Sequence, residues 1–222
     1  MQVLLEPAVA VELAPQRIAL LPGAYEGPQD FQRAGFAQAV RRRGLKLDLV
    51  LVHPNPQHLA DRSILERLRR EVVLPARAAG CQSVWLAGIS LGGFMALAYA
   101  MEFPKDVDGI CLLAPYLGNR IIGGEIARAG GLGAWQPGPV GADDEERRIW
   151  QFIRNLRHTP LAVYLGYGRA DRFADTLTLM VEMLPAASVD VVEGGHDWAT
   201  WTVLWGNFLD RQFGDATGVR PD

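Results

Sequence analysis

The chain has 222 residues, 49% of them hydrophobic, which is enough apolar material for a substantial core within one domain spanning residues 1–222. Its 22 basic and 25 acidic residues are interspersed and leave a formal charge of -3, which argues against a nucleic-acid-binding stripe or a polybasic membrane segment. No apolar run reaches the roughly 18 residues of a membrane span, and Glu6 and Pro7 interrupt the first one before any secretion signal takes shape.

Along the chain, short apolar runs alternate with helical patterns, the signature of repeated βα units around a largely parallel sheet, so the class is α/β. Two weak strands, Gln2 to Leu5 and Val9 to Leu13, read as an edge hairpin interrupted by Glu6 and Pro7. The main strands are expected at Arg17 to Leu21, Leu47 to Val52, Ser83 to Ala87, Gly109 to Leu113, Pro160 to Leu165 and Ser188 to Val192. Helices are expected at Asp30 to Arg43 with Asp30 as N-cap, Ala60 to Ala79, Leu91 to Glu102, Asp144 to Arg157, Ala174 to Leu184 and Ala199 to Phe213. Residues 117–142, glycine-rich with Pro137 and Pro139, lack a period and read as an irregular excursion where a lid would sit. Residues 214–222 read as a flexible polar tail. Cys81 and Cys111 lie just before and within apparent buried strands, which suits unpaired thiols in a reducing cytoplasm.

The chemistry concentrates at Gly88-Ile-Ser90-Leu-Gly92, which follows the strand Val84-Trp-Leu-Ala and opens an apolar helix. This is a G-x-S-x-G elbow in its strand-turn-helix context, where a serine on a tight turn needs neighbours without bulk. The helix beginning after Ser90 directs free N–H groups and its positive end at the same spot, so Leu91 N–H is the first candidate oxyanion donor.

A serine hydroxyl needs a positioned base, and four histidines compete for that role. His158 precedes a strand, which puts it at the amino edge, opposite Ser90. His58 lies in a polar connection, and His53 closes a strand at the active edge but is followed by Pro54. His196 follows the last strand after Gly194 and Gly195, which let the chain bend the imidazole back over the sheet. The carboxylate that would fix its tautomer is expected from Asp171, just after the preceding strand, with Asp175 as competitor and Asp197 too near along the backbone.

The order serine, acid, histidine and the segment Gly-Gly-His196-Asp-Trp resemble the α/β-hydrolase superfamily, in particular bacterial putative serine esterases, from about Arg17 to Phe213. The resemblance implies esterase, thioesterase or related acyl-transfer chemistry on a small-molecule substrate, without a metal or organic cofactor. It does not imply which ester, because this fold hosts many. The family commonly draws its second oxyanion donor from a His-Gly segment after the first core strand. Here that segment reads Leu21-Pro-Gly-Ala-Tyr-Glu, so Ala24 N–H is the first expectation and Tyr25 N–H the second. Two other readings stay open: an acyltransferase using the same triad, and a non-catalytic binding module on a hydrolase scaffold. Trp198, Trp201 and Trp205 repeat at helical spacing and read as core, Tyr116 is placed at the active edge without a role, and Trp135 could shield either an acyl pocket or the domain.

Overall fold

The computed structural model describes residues 1–7, 14–55, 57 and 63–214. Its strands are β1 Gln2–Glu6, β2 Gln16–Leu21, β3 Leu47–His53, β4 Ser83–Ile89, β5 Gly109–Leu113, β6 Ala162–Gly168 and β7 Val189–Val192. They form one sheet in the order β1-β3-β2-β4-β5-β6-β7. Every neighbouring pair is parallel except β1 with β3, where Gln2 lies opposite His53. The runs of Val, Leu, Ile and Ala that mark β2, β3, β4 and β5 are buried almost residue for residue, as strands covered on both faces must be.

On one face, α1 Pro28–Arg33 and α2 Phe36–Arg42 pack with α9 Trp198–Phe213, which also lies along β5, β6 and β7. Phe36 stacks on Trp205 at 4.9 Å between centroids, and Trp205 donates its indole N–H to the Phe36 carbonyl at 3.1 Å. On the other face, α5 Leu91–Glu102 lies over β2, β4 and β5, flanked by α3 Ile64–Leu68 and α7 Glu145–Asn155. A helix α6 Arg120–Arg128 contacts α8 Ala174–Val181. Cys81 and Cys111 are buried free thiols. Among the described residues no helix is long and apolar enough to cross a membrane.

Local physics moves several expected boundaries. The helix expected from Asp30 to Arg43 is two helices, because Gly35 takes φ 79 between them. It starts two residues early with Pro28 at its first position, so Asp30 is not the cap; its carboxylate instead accepts the Gly27 N–H at 2.8 Å. The helix expected from Ala60 to Ala79 opens into a π-turn at Arg69–Val73 before α4 Leu74–Ala78. Pro75 has no N–H to give the carbonyl four residues back, and the wider turn accommodates its ring. Residues 117–142 are more ordered than expected. The Asn119 side chain caps α6 through the N–H groups of Ile121 and Ile122 at 2.9 and 3.3 Å, and Ile122, Ile126, Leu132 and Trp135 are buried. Gly123 and Gly124 inside that helix hid its period. β1 is an edge strand, while its expected hairpin partner Val9 to Leu13 lies outside the described residues, as do His58 and the tail from 215 onward.

Candidate active site

The sheet order itself selects one location. β3 lies on one side of β2 and β4 on the other, so the loops leaving the carboxyl ends of β2 and β4 diverge and open a crevice between them. Leu21, the last residue of β2, is in register with Gly88 of β4. Two residues on, Ser90 takes φ 51 and ψ -113, a conformation that non-glycine residues avoid and that surrounding structure must enforce. The enforcement is visible. Ser90 donates its N–H to the Leu113 carbonyl at 3.1 Å, and its own carbonyl accepts from Tyr116 at 2.9 Å and Gly93 at 3.0 Å. A Cβ on Gly88 would lie 2.1 Å from the Gly92 carbonyl oxygen, and one on Gly92 would lie 2.1 Å from that of Leu21. Only glycine lets β2, the elbow and α5 approach this closely.

Two further loops converge from β6 and β7. Arg169 and Ala170 donate N–H groups to the carbonyls of Val192 and Gly194 at 2.8 and 2.9 Å, which zips the two loops together. A Cβ on Gly168 would meet the Gly194 oxygen at 2.3 Å, and Gly194 has φ 129, so this contact also requires glycine. The result brings Asp171 Oδ2 to 2.8 Å from His196 Nδ1. The other carboxylate oxygen accepts the Phe173 N–H at 2.8 Å, and the Asp171 side chain is wholly buried. Phe173 and Trp201 each meet the His196 ring edge-to-face at 5.0 Å, which restricts its orientation. Asp197 does not compete for the imidazole: it caps α9 through the Thr200 N–H at 2.9 Å, which holds its pKa below the usual carboxylate range. Asp175 sits in the first turn of α8. His158 is exposed beside Arg157, and His53 is exposed at the end of β3.

The structure thus places Asp171 and His196 in contact and Ser90 at the neighbouring switch point. Leu91 is the first residue of α5, so its N–H has no intrahelical acceptor. Across the crevice runs the Pro22–Gly27 turn, with Ala24 and Tyr25 exposed and a Cβ on Gly23 lying 3.5 Å from that of Ser90. Gly23 N–H is already engaged by Glu26 Oε2 at 3.0 Å. Two cavities meet at Leu91 and Met95. One, of about 190 Å³, is walled by Ile64, Leu65, Phe94 and Ala98, with Glu145 also present. The other, of about 650 Å³, is a cleft bordered by Gly23, Ala24, Glu26, Asp30 and His53.

Residues 74–206 match the model of a family described as Putative esterase. The chain belongs to that family. It is therefore an ester-cleaving hydrolase, and its sheet is that of the α/β-hydrolase fold. The fluorophosphonate-binding serine hydrolase F of Staphylococcus aureus is 15% identical with a TM-score of 0.62, over 90% of this chain and 84% of that one. A predicted CIB-like hydrolase from Thermoplasma acidophilum is 17% identical with a TM-score of 0.60, over 95% and 93%. The carboxylesterase CesB of Bacillus subtilis is 13% identical with a TM-score of 0.56, over 90% and 84%. No curated protein sequence matches the chain.

Sequence reasoning missed Phe173, Trp201 and Glu26 as parts of this site. For two of them the signal available was spacing from residues already singled out, with Phe173 two after Asp171 and Trp201 one helical turn after the Asp197 cap, whereas Glu26 carried none.

Proposed function

We propose that the chain cleaves a carboxylic ester or thioester of a small molecule through an acyl-serine, with Ser90 as nucleophile, His196 as base and Asp171 as the carboxylate that orients it. The observation that carries this reading is the 2.8 Å Asp171–His196 contact, together with a serine held in the elbow conformation at the same sheet edge. A buried carboxylate on Nδ1 leaves Nε2 unprotonated and able to take the Ser90 proton, and it stabilises the imidazolium that results.

In the acylation step, Ser90 Oγ bonds to the acyl carbon while its proton passes to His196. The carbonyl oxygen becomes an oxyanion, for which Leu91 N–H and Ala24 N–H are the assigned donors. Gly23 N–H is excluded from that role by its bond to Glu26. Collapse breaks the bond to the alcohol or thiol, which leaves with the proton from His196. Water, deprotonated by the same imidazole, then hydrolyses the acyl-serine and releases the acid.

Pre-steady-state turnover of p-nitrophenyl butyrate tests this chemistry. The expected result is a burst of p-nitrophenol approaching one equivalent when deacylation is slow. Ser90→Ala and His196→Ala should each lower kcat by roughly 10⁴-fold or more, and Asp171→Asn by about 10⁴-fold. Full activity in Ser90→Ala would overturn the assignment.

A further inference from the structure

Glu26 is a half-buried carboxylate at the catalytic centre that the mechanism does not use. Its position is fixed against Gly23. Oε2 accepts the Gly23 N–H at 3.0 Å, and a Cβ on Gly23 would stand 2.6 Å from that same oxygen and 3.5 Å from the Cβ of Ser90. The His196 imidazole and the Trp198 indole both act on the carboxylate, favouring its charged form.

No lysine or arginine among the described residues forms an ion pair with it. Burial pushes its pKa above the ordinary carboxylate range, an effect that the Gly23 N–H offsets only in part and to which Asp30 adds like charge. Asp30 is different. It is committed to the Gly27 N–H and to Arg33, so its charge is already answered. A carboxylate kept partly desolvated without a lysine or arginine partner costs stability, and on the wall of a cleft it is placed to attract a ligand cation.

The direction of the cleft says which part of the substrate arrives there. His196 must hand its proton to the leaving oxygen, so the leaving group lies against the imidazole, and Glu26 borders the cleft near enough to that imidazole for the two to attract. The apolar chamber of Ile64, Leu65, Phe94, Met95 and Ala98 opens at Leu91 and suits the acyl chain instead.

We propose that Glu26 is a specificity-determining residue that receives an ammonium group carried on the leaving alcohol. The enzyme thereby favours esters of amino alcohols over isosteric neutral esters, and disfavours leaving groups that carry carboxylates or phosphates. This rests on the reading of Ser90 and His196 given above. A cation entering the cleft gains the attraction of Glu26 in a partly water-excluded setting, whereas an anion is repelled by it.

The test is the ratio of kcat/KM for butyrylcholine to that for 3,3-dimethylbutyl butyrate, which differ only in N⁺ against C. Wild type should prefer the cationic ester by about tenfold or more, and 1 M salt should shrink that preference. Glu26→Gln keeps an oxygen for the Gly23 N–H but removes the charge, so the ratio should fall about tenfold, to near one. A wild-type ratio near one, or a ratio unchanged in Glu26→Gln, overturns the proposal. Because the ratio is internal, a general loss of activity from a disturbed loop cannot imitate the expected result. Turnover of the neutral ester that needs Ser90 but shows no preference sinks only the role of Glu26. Turnover that persists in Ser90→Ala sinks the catalytic reading beneath it. If neither ester turns over, the rates at which Ser90 is modified by a cationic and by an isosteric neutral organophosphonate supply the same ratio and are judged the same way.

Discussion

At the scale of single residues, the site combines groups whose roles follow from local pattern with groups whose roles exist only in three dimensions. Ser90 belongs to the first kind, because a serine between Gly88 and Gly92 at a strand-to-helix junction leaves little else for that turn to be. His196 and Asp171 follow from chain order and from their place after the last two strands. Glu26 belongs to the second kind. Nothing in Pro22–Gly27 distinguishes its carboxylate from a solvated turn residue until the fold sets it against Gly23 and near His196. That environment carries a stability cost with a definite sign. The folded state raises the carboxyl pKa, so the protein binds this proton more tightly folded than unfolded, and stability falls as pH rises from the ordinary carboxylate range through the raised value. Glu26→Gln removes that loss. Thermal melts should show the variant more stable than wild type at pH 7 and the difference closing near pH 4; a variant less stable at pH 7 would show that the charged form is well compensated.

At the scale of elements, the loops and helices at the site are held by close backbone approach more than by side-chain contacts. Gly92 is the sharpest case, since its Cβ would stand 2.1 Å from the Leu21 oxygen and 2.7 Å from that of Pro22. Gly92→Ala must push α5 away from β2, and urea unfolding should show a loss of about 2–3 kcal/mol together with weaker catalysis. Gly138→Ala, where nothing lies within 4 Å, should change stability by less than about 0.5 kcal/mol. Equal effects of the two substitutions would contradict this account of the elbow. The core strands were legible because two-sided burial writes an unbroken apolar run into the sequence, as in Gly109–Leu113. Helix boundaries were less so, and for identifiable reasons. Gly35 splits one helix through a left-handed turn, Pro75 is accommodated by a π-turn, and Gly123 with Gly124 conceals α6 behind a composition typical of loops.

At the scale of the molecule, function depends on strand order, which periodicity does not encode. The sequence supplies alternating strands and helices, but only the order β1-β3-β2-β4-β5-β6-β7 places the β2 turn beside the β4 elbow. The same order delivers the β6 and β7 loops to that edge, where Gly168 and Gly194 let them touch and join Asp171 to His196. Membership of the esterase family and the shared α/β-hydrolase sheet agree with that arrangement. The proposed function requires that this arrangement activate Ser90. It is tested most directly by intact-mass measurement after exposure to a small fluorophosphonate, with wild type, Ser90→Ala and His196→Ala compared under identical conditions. A single adduct on wild type that maps to Ser90 is expected, with none on Ser90→Ala and little on His196→Ala. An unlabelled wild type with its fold intact, or an adduct that persists in Ser90→Ala, would contradict it.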